Sequence, residues 1–78
     1  MNIEKLKTMN FETGKAYLEE NGFWESATAV DEEAKGEDVY FANEDDKVIS
    51  FVTVYSKMER AEDGSWDTEI EKEYWEEV

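Results

Sequence analysis

With 78 residues the chain is long enough for one compact domain and too short for a second. It contains no Cys and no His, which removes disulfides, thiolate nucleophiles, the usual zinc ligands and the commonest general base. Its 22 Asp and Glu against 8 Lys and Arg give a formal net charge of −14, a field that repels nucleic acid and anionic membranes and attracts basic surfaces.

An apolar fraction of 40% with 14% aromatics is too rich for a disordered acidic tail, so a folded protein is expected. No run approaches the roughly 18 apolar residues of a bilayer span, and Met1 to Lys7 lacks the apolar stretch of a signal peptide. A cytoplasmic protein is the expectation.

Ile3, Leu6 and Met9 recur at helical spacing. Asn10 then stands as an N-cap before a helix over Phe11 to Glu20, which Asn21-Gly22 closes. Phe11, Tyr17 and Leu18 supply its apolar stripe, and Gly14 weakens it by about 1 kcal/mol relative to Ala. Phe23 to Val30 changes to strand character, and Asp31 to Gly36 reads as a loop. A short strand over Val39 to Ala42, a turn over Asn43 to Asp46 and a long strand over Val48 to Met58 follow.

The last segment has two readings. Trp66, Ile70 and Tyr74 lie four apart, as on a helix, yet Trp66, Thr68, Ile70, Lys72 and Tyr74 also alternate with Asp67, Glu69, Glu71 and Glu73, as in a half-buried strand. Turn chemistry favours the strand, because Glu62-Asp63-Gly64 suits a three-residue hairpin loop with Gly in the left-handed position. Pairing Ala61 with Ser65 then sets even-numbered residues opposite even-numbered ones, and Val52, Val54, Met58, Trp66, Ile70 and Tyr74 are expected on the buried face. The fold class that results is α+β: one or two N-terminal helices on one face of an antiparallel meander of about four strands.

On that strand Asp67, Glu69, Glu71 and Glu73 would form a solvent-facing row with a side-chain repeat of about 6.6–6.8 Å. That repeat is comparable with the spacing of phosphates along a nucleic-acid strand. Glu59 stands at the hairpin end, and Glu44, Asp45 and Asp46 form a second acidic group in the turn. Phe51, Tyr55 and Trp75 fall on the odd-numbered face beside the row, where exposed aromatics would add affinity, or where a loop or a second copy would cover them. Surfaces normally intersperse the two signs, and Lys57, Arg60 and Lys72 are the only local cations; the competing reading is a face that serves solubility alone.

Catalysis is not expected. Among 22 carboxylates some pair always lies at a suitable separation, and a chain this short has little room for a substrate cleft. The EF-hand spacing and a phosphate-binding glycine loop are both absent, so neither cofactor nor metal is expected. In size, charge and runs such as Asp67 to Glu73 and Asn43 to Asp46, the chain resembles the small acidic nucleic-acid mimics, among them phage anti-restriction and anti-CRISPR proteins. That resemblance implies an inhibitor that occupies the basic groove of a nucleic-acid-binding protein; monomer and homodimer both remain open. Members of the class share no motif, so it assigns no residue. The alternative is a protein-interaction module working through an apolar patch at Phe51, Tyr55 and Trp75.

Overall fold

A computed structural model describes all residues from Met1 to Val78. Two helices, α1 (Ile3–Leu6) and α2 (Phe11–Glu20), precede four strands, β1 (Trp24–Asp31), β2 (Gly36–Ala42), β3 (Val48–Arg60) and β4 (Trp66–Glu77). The strands form one antiparallel sheet in the order β1-β2-β3-β4, so the α+β meander read from the sequence is the observed architecture. No helix is long and apolar enough to cross a membrane.

Local chemistry explains the boundaries. Asn2 Oδ1 accepts from the backbone N–H of Glu4 and Lys5 at 3.0 and 3.2 Å, and Asn10 Oδ1 accepts from that of Thr13 at 2.9 Å, so each helix starts on an amide cap that satisfies otherwise unpaired donors. Gly22 ends α2 with φ of +83°. At the β3–β4 hairpin Gly64 has φ of +88°, and the Ala61 N–H donates to the Ser65 carbonyl at 2.8 Å. The three-residue loop and its even-to-even register therefore stand as read: Val52 faces Tyr74, Val54 faces Lys72 and Met58 faces Thr68.

The buried side of that register is the opposite of the one expected. Leu6, Leu18, Phe23, Phe41, Ile49, Phe51 and Trp75 form the core, and the residues from β3 and β4 are odd-numbered. Tyr74 and Trp66 are each 40% exposed and Ile70 is 57% exposed. Parity in a hairpin fixes which residues share a face and leaves open which face the helices cover. The odd face wins because it carries the larger rings at adjacent positions, Phe51 directly opposite Trp75 and Phe41 opposite Ile49. Phe11 of α2 completes the cluster, its ring 5.1 Å from Phe51 and stacked on Trp75 at 6.0 Å.

Gly14 is the position that allows this packing. A Cβ there would stand 2.7 Å from Trp75 Nε1, so only glycine lets α2 come down onto the indole. The indole N–H donates to the Met9 carbonyl at 3.2 Å, which satisfies its polar atom in the core. Tyr17, expected in the stripe, is half-buried and accepts from the Asn2 N–H at 3.0 Å, tying α1 to α2.

Candidate acidic interface

The four carboxylates of the expected row all lie exposed on β4, which is an edge strand. They do not form one regular row. The β3–β4 register shifts between Val54 and Tyr55 and again between Tyr55 and Lys57, where Tyr55 pairs with Ile70 and Glu71 is passed over. A bulge of this kind breaks strict alternation and increases twist. With Glu76 and Glu77 the carboxylates extend along the edge strand β4 for about 33 Å, against a 42 Å long axis of the molecule.

The other acidic groups occupy the two ends of the sheet. Gly36 pairs with Val54 and Ala42 with Val48, so the β1–β2 turn bearing Glu32 and Glu33 and the β2–β3 turn bearing Glu44, Asp45 and Asp46 lie about 20 Å apart at opposite ends. The second turn is held by Asn43, whose Oδ1 accepts from the Asp45 and Lys47 N–H groups at 3.0 Å each, and by Asp46 at φ of +61°. Its three carboxylates are exposed and sit beside the end of β4, where Glu76 pairs with Ser50 and Glu77 with Ile49. The edge of β4 thereby links the hairpin acids to the turn acids.

Glu59 and Asp67 are the only acidic side chains within 4.0 Å of a basic nitrogen, both at Lys57, at 4.0 and 2.7 Å. The hydrogen bond to Asp67 is the main reason the Lys57 ammonium is held above its ordinary pKa. Three other cations lie over aromatic rings: Lys5 over Tyr17 at 5.6 Å, Arg60 over Trp66 at 4.6 Å and Lys72 over Tyr74 at 5.7 Å. The basic residues thus leave nearly all of the carboxylates unpaired, Glu69, Glu71, Glu73, Glu44, Asp45 and Asp46 among them.

The aromatic part of the expected site is corrected. Trp75 is 2% exposed and Phe51 5%, both beneath the helices, so neither presents a contact surface. Tyr55 is half-buried, and its hydroxyl donates to Glu37 Oε2 at 3.0 Å. Burial, that hydrogen bond and the charges of Glu37 and Glu73 all push the phenol pKa up. Glu37 and Glu73 both pair with Thr53, from opposite sides, and share its face of the sheet; the sequence alone gave no sign of this Glu37–Tyr55–Glu73 group, which depends on β2 register. No three acidic side chains converge closely enough to hold a metal ion. The one surface depression, about 160 Å3, is bordered by Asp45, Lys47 and Phe23 among others.

Compared with protein-family models, curated proteins and solved structures, the chain has no significant match in any of the three.

Proposed function

We propose that this protein binds a basic, nucleic-acid-binding partner in the cytoplasm and blocks it by placing carboxylates where the partner holds phosphates, as a phage anti-restriction or anti-CRISPR inhibitor would. One observation carries the reading: of 22 acidic side chains only Glu59 and Asp67 have an ion-pair partner, and five of the unpaired ones, Glu69, Glu71, Glu73, Glu76 and Glu77, run along about 27 Å of the edge strand β4. Self-repulsion of this order destabilises the compact state, and a groove of Lys and Arg would relieve it. The activity is binding and exclusion, with no reaction catalysed.

The test is capture of partners from lysate on the tagged protein at low and at high salt, with DNA added as competitor. A nucleic-acid-binding protein that is retained at low salt, released by high salt and displaced by DNA is the expected result. Retention that survives high salt and ignores DNA would replace the reading with an interaction module. That second reading has its own support in the exposed aromatics Trp24, Trp66 and Tyr74, which differ from the patch expected from the sequence.

A further inference from the structure

The helices cover one face of the sheet and leave the other bare. The total exposed surface, 5415 Å2, is about 500 Å2 more than a compact monomer of 9.1 kDa exposes. On the bare face the register sets Trp24, Tyr40, Val52 and Tyr74 on β1, β2, β3 and β4 in turn, one large side chain per strand. Trp24 and Tyr74 are 50% and 40% exposed, and Tyr40 and Val52 are half-buried. Trp24 lies level with Ala42 and Val48, Tyr40 one pair further along, and Val52 and Tyr74 one further still, so the four make a diagonal strip across the sheet. On β1 the strip is bordered by the small side chains of Ala27, beside Tyr40, and Ala29, beside Asp38.

Carboxylates flank the strip on both sides. Asp31 and Asp38 lie toward the β1–β2 turn and Glu76 lies on β4 toward the opposite end, against a single ammonium, Lys72, beside Tyr74. A second copy of this chain is a poor occupant, since it would bring the same three carboxylates against these and join two bodies of net charge −14. A rod with an apolar underside and basic flanks complements the face in both respects. The face is about 19 Å wide and about 20 Å long, so its diagonal takes a helix of roughly 15–18 residues.

We infer that the bare sheet face, along the strip Trp24–Tyr40–Val52–Tyr74, is a docking site for a cationic amphipathic helix of the partner protein. The inference rests on the reading that the partner is basic, and it adds what edge carboxylates alone do not supply: an apolar contact that survives screening. Affinity then divides into a salt-sensitive part on the β4 edge and a salt-resistant part on this face.

The test is an amide NMR titration of the full chain with two peptides of equal charge, a Lys/Leu amphipathic helix of about 18 residues and an oligolysine. The amphipathic peptide is expected to shift Trp24, Tyr40, Val52 and Tyr74 and to stay bound at high salt, and the oligolysine to shift edge and turn carboxylates and to be released. Trp24→Ala and Tyr74→Ala, both at exposed positions, should each weaken the amphipathic peptide by about tenfold and leave oligolysine unchanged. Fold retention in these variants is checked by the ring-current-shifted signals of the Phe51–Trp75 cluster. If a variant does not fold, the wild-type shift map decides alone. The inference is overturned if the amphipathic peptide does not bind, if it maps to the same residues as oligolysine, or if folded variants bind it as well as wild type. It is equally overturned if light scattering gives a dimer mass for the free chain that Tyr74→Ala halves, since the occupant is then a second copy. Because both probes are peptides, loss of the nucleic-acid-mimic reading through the DNA competition leaves these outcomes separately readable.

Discussion

Gly14→Ala separates the local from the tertiary argument most sharply. In an isolated helix the change stabilises by about 1 kcal/mol, because alanine loses less backbone freedom on folding. In the folded protein the new Cβ would meet Trp75 Nε1 at 2.7 Å, and relief to an ordinary contact near 3.4 Å or more requires α2 to lift off the indole. That shift stretches the 3.2 Å bond from Trp75 Nε1 to the Met9 carbonyl and loosens the Phe11 ring from Phe51 and Trp75. Overpacking of this kind costs about 1–3 kcal/mol and a weakened buried hydrogen bond about another 1. After the propensity gain, a net loss of about 1–3 kcal/mol remains. Since 1 kcal/mol corresponds to about 4–8 °C in a domain of this size, the melting midpoint should fall by roughly 5–20 °C. Urea and thermal unfolding followed by Trp fluorescence measure this, and near-UV circular dichroism reports the indole's packing. An unchanged or raised midpoint would refute the close approach of α2 to the sheet.

The remaining expectations concern charge. Replacing Glu69, Glu71 and Glu73 together with Gln should leave the fold intact, raise the melting midpoint slightly at low salt and weaken capture of a basic partner; equal capture would move the site to the turns. For the wild type, added salt should raise the midpoint by screening the net charge of −14, and a midpoint insensitive to salt would contradict extensive self-repulsion. The phenol of Tyr55 has a pKa raised above 10.0, so its neutral form is favoured by folding. The resulting stability is complete below pH 10 and is lost as pH rises through the higher folded value, and Tyr55→Phe should flatten that alkaline decline in a pH series of urea midpoints. Asp63, held below 3.8 by two hydrogen bonds donated by Ser65, acts in the opposite direction. It supports the hairpin above pH 3.8 and loses that effect as the pH falls through its lower folded pKa, which Asp63→Asn should abolish in an acid titration of the loop amides.

The capped helix over Phe11 to Glu20, the hairpin at Glu62-Asp63-Gly64 and the pairing of Ala61 with Ser65 were legible in the chain because each is decided within a few residues. An amide cap and a left-handed glycine act locally, and once the loop is set the register of β3 and β4 follows. The acidic character of β4 was legible for the same reason. The regular row was not, because the bulge at Tyr55 and Ile70 comes from how two long strands twist around each other.

Two matters were left to tertiary structure, and both turn on which sheet face the helices cover. Alternation in β3 and β4 offers two apolar sets, Val52, Val54 and Tyr74 on one side and Ile49, Phe51 and Trp75 on the other, and periodicity weighs them alike. The choice falls to Gly14, 61 residues from Trp75 in sequence, because only there can a helix seat itself on the larger rings. With Phe51 and Trp75 buried, the exposed aromatic surface passes to Trp24, Trp66 and Tyr74, and the location of any apolar contact with it. A sequence carries its charge and its turns in local patterns; the choice between two faces rests on contacts between distant residues, which no local pattern records.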